Sequence, residues 1–198
     1  MPGTEVHQAL LATIVEQYRD DARIDALVLF GSLGRDDWDA FSDLDLAAIV
    51  QPDAAVVTTD EIAAISRALR ERGYPALFTQ AVGSDGYLLL RELTGIAISF
   101  HHLDEADPGI ADGMRVLCGN LPADSLVAAA QANARPPLAP SDELLRFLWL
   151  ALDADIKLQR RLVWNALPSL NRMRDALVAI FATTRGARRS YRFFEAEA

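Results

Sequence analysis

The sequence predicts an α/β (α+β) chain, with a mixed-sheet domain over residues 1–134 followed by a small helical domain over residues 141–198. Three observations predict it. Short apolar runs of strand length alternate with helically spaced segments through the first part of the chain. The stretch Arg135–Pro140, RPPLAP, then interrupts them, because paired prolines resist both helix and sheet ladder. Beyond it the pattern is helical only.

The elements follow in order. Residues 5–19 carry apolar side chains at helical spacing. Ile24–Phe30 is a strand-type run, which Gly31-Ser32 breaks and where a helix can open. Asp43–Val50, DLDLAAIV, alternates and then turns apolar until Pro52, so it reads as a second strand. Thr59–Arg72 opens on a Thr-Asp cap signal and stops at Gly73, as a helix does. Ala76–Val82, Tyr87–Arg91 and Ile96–Leu103 are further strands, with Thr94-Gly95 as the turn between the last two. Arg115–Cys118 is a short sixth strand, and Asp124–Ala134 is helical. After the proline stretch, Ser141 is placed to cap a long helix that begins Asp142-Glu143 and runs to about Trp164. Pro168 then belongs near the start of a last helix that ends before Gly186.

Composition bounds the function. A chain of 198 residues with 51% hydrophobic residues and a mean hydropathy of +0.10 buries a real core and is not disordered. No apolar run reaches the roughly 18 residues of a membrane span. The start lacks the basic and apolar regions of a secretory signal, and the lone Cys118 has no internal disulfide partner. The cytoplasm is therefore the expected compartment, and Cys118 the expected small core residue. The net charge of −9 is uneven: residues 1–156 hold 10 basic and 25 acidic residues, and residues 157–198 hold 9 basic and 3 acidic. So acidic a chain is a poor general binder of nucleic acid, while its basic C-terminal part suits a small polyanion such as a triphosphate.

The chemistry concentrates in Phe30–Leu46, FGSLGRDDWDAFSDLDL. Asp43 and Asp45 are two apart on a strand, so both carboxylates leave one face while Leu44 and Leu46 enter the core. Side by side they repel unless a cation lies between them, and Mg²⁺ prefers such oxygen ligands together with substrate phosphates. A second ion about 3.5–4 Å away would clamp attacking and leaving oxygens. Gly31 lets backbone approach a phosphate, and the Ser32 hydroxyl can bind its oxygens. Arg35 can add charge-assisted bonds, and Ser42 can orient or cap the entry to the strand.

FGSLGR followed by FSDLDL resembles the Gly-Ser and Asp-x-Asp motif of the DNA polymerase beta-like nucleotidyltransferase superfamily. The size and helical C-terminus resemble small antibiotic nucleotidyltransferases of the aminoglycoside and lincosamide type. The specific match spans about Leu27–Val50. The resemblance implies Mg²⁺, a nucleoside triphosphate donor such as ATP, and in-line attack of an acceptor hydroxyl on the α-phosphate with loss of pyrophosphate. It assigns Asp43 and Asp45 to the metal and catalysis, and Gly31, Ser32, Arg35 and Ser42 to the donor. In antibiotic-type enzymes a basic residue of the helical region reaches the triphosphate, a part that Lys157 or Arg161 would take. The acceptor implied is a small molecule, an aminoglycoside or lincosamide being the natural guess, and the acidic catalytic half agrees with a cationic one.

The resemblance also implies a third carboxylate on a neighbouring strand. Ile96–Phe100 is that strand, and its matching positions hold Ala97 or Ser99. Glu92, Asp104, Glu105, Glu143 and Asp153 are the candidate substitutes, and a homodimer sharing its sites could supply the group in trans. This gap supports an alternative, a non-catalytic or protein-modifying nucleotidyltransferase-fold module of the toxin–antitoxin type.

Other features have plainer readings. Asp36, Asp37 and Asp39 are expected in a solvated loop and His7 on a helix surface. His101 and His102, adjacent on a strand, point to opposite faces and do not share an ion. Phe147, Trp149 and Trp164 are expected to pack helices together. Lys157, Arg160 and Arg161 fall on one side of a helix, and with Arg172, Arg174, Arg185, Arg188, Arg189 and Arg192 can form a solvated basic face. The tail RRSYRFFEAEA reads as a docked segment or a partner surface.

Overall fold

The computed structural model describes residues 1–91, 94–134 and 138–185. The chain divides into two compact units, Met1–Ala134 and Arg135–Ala198. Glu92 and the whole tail motif with Arg188, Arg189 and Arg192, like Arg135–Pro137 of the proline stretch, lie outside the described residues.

The first unit is built on six strands. In chain order they are β1 (Ile24–Phe30), β2 (Leu44–Val50), β3 (Ala76–Val82), β4 (Asp85–Leu90), β5 (Gly95–His101) and β6 (Arg115–Gly119). They lie side by side in the order β3-β4-β5-β2-β1-β6. Only β2 and β5 run parallel, and α3 (Thr58–Glu71) lies between them in sequence, as a parallel pair requires a crossover. The sheet is therefore mixed. α1 (Glu5–Tyr18) and α3 cover one face, and α4 (Ala123–Asn133) with two 3₁₀ turns, Leu103–Glu105 and Pro108–Asp112, covers part of the other.

Strand alternation sends apolar side chains both ways. Leu44, Leu46, Ala48 and Val50 join Leu10, Leu11, Ile14, Ile65 and Leu69 in the larger core. Ala47 and Ile49 join Ala26, Val28, Ile110 and Leu126 in the smaller. Each large side chain so buried is worth about 1.5–3 kcal/mol. One polar group is built into the larger layer. The Tyr18 hydroxyl donates to Glu61 Oε2 at 3.0 Å, and Arg23 meets Glu61 Oε1 at 2.9 Å. Burial, then the Glu61 charge, push the Tyr18 phenol up.

Several boundaries differ from the sequence expectations. α3 starts at Thr58 without a side-chain cap, because Val57 holds the cap position and Thr59, expected there, lies inside the helix; Thr58 donates to the Gly83 carbonyl at 3.0 Å. β5 ends at His101, and Leu103 enters a 3₁₀ turn. In the second unit α5 (Pro140–Gln159) is preceded by Ala139 with Pro140 in its first turn, so Ser141 lies inside the helix and does not cap it. The long helix does not reach Trp164. It ends at Gln159, Arg161 takes a left-handed backbone (φ 60°), and α6 (Val163–Arg185) begins. Pro168 is the sixth residue of α6, past the first turn, so it removes one i→i−4 hydrogen bond from the helix interior and does not sit at the helix start as expected. Arg161 sits in the bend, off the helix that carries Lys157. The expectation for the tryptophans is overturned, since Trp149 is 67% and Trp164 is 83% exposed. No helix among the described residues is long and apolar enough to cross a membrane.

Replacing Tyr18 with Phe leaves Glu61 with one partner fewer in a buried layer. Tyr18→Phe should lower unfolding free energy by about 1–2 kcal/mol in urea titration, with an unchanged dependence on denaturant concentration.

Candidate functional site

The end of β1 and the start of β2 form the site. Phe30 pairs with Asp45, so the chain that turns out of β1 passes over the Asp45 side chain. The turn is the four-residue helix α2 (Gly31–Gly34). Gly31 has φ +66°, and a Cβ there would lie 2.0 Å from Asp45 Oδ2. Both its handedness and its missing side chain are thus required. Asp43 stands one residue ahead of β2, exposed, against a second glycine. A Cβ on Gly95 would lie 3.2 Å from the Asp43 carboxyl carbon. Two glycines on the flanking strands thus leave room for two carboxylates.

Their electrostatics are unfavourable in isolation. Burial pushes the Asp45 carboxyl up, the Asp43 charge pushes it further, and Arg35 pulls it back. Asp107 also pushes it up. Asp107 caps the Pro108–Asp112 turn by accepting from the Gly109 N–H at 2.6 Å, and it escaped the sequence reading. The Asp-Pro-Gly cap signal marked the turn, but nothing local placed it near Asp45.

His7 corrects an expectation more directly. It is buried, not on a helix surface, and it replaces Glu or Gln in the capping box of α1. The Thr4 N–H donates to His7 Nδ1 at 3.0 Å, which leaves the hydrogen on Nε2. Nε2 then donates to the Ser42 carbonyl at 3.0 Å. His7 therefore anchors the backbone that leads into Asp43.

The remaining predicted residues are placed as follows. Ser32 is half-buried beside Gly31. Arg35 is exposed at the end of α2, its chain against Gly113. The Ser42 hydroxyl is turned inward: it accepts from the Asp39 N–H at 2.9 Å and donates to Asp39 Oδ1 at 3.2 Å. Asp36 pairs with Arg115 at 3.0 Å. In the second unit the Lys157 ammonium donates to Asp153 at 2.6 Å and to Ser169 at 3.2 Å. Glu143 is buried there and pairs with Arg146.

The register sets Ala97 beside Asp45 and Ser99 beside Ala47. Among the described residues no cluster of three or more His, Cys, Asp or Glu side chains could hold a metal. His101 Nδ1–H donates to the His102 carbonyl at 3.0 Å, and its Nε2 has no partner among the described residues. A cavity of about 390 Å³ near Arg19, Ile24, Gln51 and Asn120 lies at the other end of β1 and β2 and takes no part.

The mixed sheet, with a Gly-Ser turn opposite an Asp-x-Asp strand, is the arrangement that the sequence resemblance implies. The family model of the nucleotidyltransferase domain matches residues 11–78, about a third of the chain. No curated protein matches the sequence. The solved structures to which the chain is similar include three. A cytoplasmic RNA terminal U-transferase is 23% identical over 48% of this chain, with a TM-score of 0.34. A toxin–antitoxin with AMP-PNP is 13% identical over 74% of this chain and 97% of its own, with a TM-score of 0.39. An aminoglycoside 6-adenyltransferase from Bacillus subtilis is 14% identical over 87% of this chain and 65% of its own, with a TM-score of 0.31. The chain spans 28% of the length of the U-transferase.

A raised carboxyl binds its proton more tightly folded than unfolded, so Asp45 favours the fold at low pH and loses that contribution as pH rises through its folded value. Asp45→Asn should therefore raise the melting temperature at pH 7 without metal, by about 2–4 °C per kcal/mol relieved. Gly31→Ala should have the opposite effect, because its Cβ displaces Asp45. His7→Leu should cost about 1–3 kcal/mol by leaving the Ser42 carbonyl unpaired, checked by thermal melts.

Proposed function

We propose that this chain transfers a nucleotidyl group from a nucleoside triphosphate to a hydroxyl of a small molecule, with Mg²⁺ as the metal. The observation that carries the reading is the pair Asp43 and Asp45, each against a glycine: a Cβ has no room on Gly31 and only a tight fit on Gly95. The donor set is oxygen only, its members repel each other, and a divalent cation relieves that repulsion, so these residues fit Mg²⁺. When bound, Mg²⁺ neutralises phosphate charge and aligns the α-phosphate for in-line displacement.

The chain's own groups have separable parts. Asp43 and Asp45 hold the metal. Gly31 allows close approach of the triphosphate, and the Ser32 hydroxyl donates to a phosphate oxygen. Arg35 supplies a positive charge on the same side. Ser42 acts through Asp39 and the backbone, as a positioning residue. Lys157 would have to leave Asp153 and Ser169 to meet a triphosphate. The acceptor loses its proton to a nearby base, for which Asp107 is the candidate outside the metal pair. ATP is the first donor to try, and an aminoglycoside and a lincosamide are first acceptors. The two units, 1–134 and 141–198, are proposed as catalytic and helical domains.

Ala97 beside Asp45 favours a second reading, a nucleotidyltransferase-fold module that binds donor without turnover or modifies a protein. Pyrophosphate release during incubation with Mg²⁺, each NTP and an acceptor panel separates the two. We expect release with wild type, and a fall of at least about a thousandfold in Asp43→Ala and Asp45→Ala. Heat on Mg²⁺–ATP titration without release from any acceptor would support the module. Wild type and Asp43→Ala behaving alike in both measurements would sink the catalytic reading.

A further inference from the structure

Within the first unit, and among the described residues, the sheet face that carries Asp45 continues uncovered towards the β3 edge. Paired residues share a face, so the register gives the rows directly. One row runs Asp45, Ala97, Tyr87, Gln80, and the adjacent one runs Gly95, Leu89, Phe78, with Asp43 against Gly95. The other face of β4 is closed, with Gly86, Leu88 and Leu90 buried. On this face Tyr87 is 43%, Leu89 38% and Phe78 54% exposed. The rows are stepped: small residues, Gly95 and Ala97, lie next to the carboxylates, and large ones rise a strand further, about 5 Å on. None of the six residues Ala97, Tyr87, Gln80, Gly95, Leu89 and Phe78 is charged.

In-line displacement decides what this step receives. The Gly31-Ser32 turn follows β1, on one side of β2, so the departing pyrophosphate lies there. The attacking hydroxyl must come from the opposite side of the phosphorus, over β5 and β4. We infer that the step formed by Gly95 and Ala97 against Tyr87 and Leu89 seats the acceptor, and that this acceptor is a neutral molecule whose hydroxyl is borne beside an aromatic or apolar ring. This rests on the nucleotidyl-transfer reading above. Tyr87 supplies a ring face with a polar tip, Leu89 an apolar wall and Gln80 a hydrogen-bonding rim. A multiply charged aminosugar, the acceptor class tried first above, would find the carboxylates of Asp43 and Asp45 taken by the metal, and none on Tyr87, Leu89, Gln80 or Phe78, so the step favours the neutral acceptor over it.

The test uses the full chain with Mg²⁺ and a non-hydrolysable ATP analogue. Backbone amide spectra are followed during titration with phenyl glucoside, methyl glucoside or kanamycin. Phenyl glucoside should shift the Ala97, Tyr87 and Leu89 signals and bind about tenfold more tightly than methyl glucoside. Tyr87→Ala should erase that difference while the analogue's affinity changes less than about twofold. Leu89→Gln, checked by the same melt, serves as a second variant should the first unfold. Equal affinity of the two glucosides, or tighter binding of kanamycin at these residues, would overturn the proposal. So would loss of analogue affinity in Tyr87→Ala, which would put the donor's base on this floor. Failure of the transfer reading looks different: the analogue then causes no Mg²⁺-dependent shifts at Gly31, Ser32 or Asp45, while phenyl glucoside titrated into the chain alone still reports on the step.

Discussion

The close approach of Gly31 to the Asp45 carboxylate is the constraint on which the rest of the site depends. With 2.0 Å between a Cβ on Gly31 and Asp45 Oδ2, no other residue fits without displacing the Asp45 side chain. That approach follows from sheet register. Phe30 pairs with Asp45, so the chain leaving β1 must cross the carboxylate. The phase of β2 is in turn locked by Leu44 and Leu46, both fully buried, since a slip of one residue would bury the carboxylates.

Around that contact the molecule keeps charge where folding alone would remove it. Asp43 and Asp107 both raise the Asp45 carboxyl, and Arg35 offsets them only in part. A site that costs stability in the absence of its ligand is the usual mark of function held against folding. The surroundings are correspondingly well supported. His7 is buried with both ring nitrogens bonded, and it fixes the backbone one residue before Asp43. Ser42 and Asp39 close the loop on themselves.

Local pattern carried the strands well because alternation and apolar runs report burial directly. Ile24–Phe30 and Ala76–Val82 were legible to the residue. Helix ends were less so: α3 opens at Thr58, which bonds Gly83, so the expected Thr59 does not cap, and Ala139 holds the cap position where Ser141 was expected. Those choices depend on a distant carbonyl or on the preceding chain, which a cap signal does not contain. Trp149 and Trp164 misled for a related reason, since helical spacing says which residues share a face but not whether anything covers it.

By itself the sequence determined the proposed donor side: Gly31, Ser32, Asp43 and Asp45 lie within fifteen residues, and glycine, strand alternation and carboxylate chemistry are local properties. Tertiary structure alone decided what stands around them. Gly95 beside Asp43, Ala97 beside Asp45, Asp107 within its field, His7 beneath Ser42 and the step at Tyr87 and Leu89 all come from other elements. Their proximity is set by strand order and register, and these depend on how the whole sheet buries its two faces, not on any neighbouring residue.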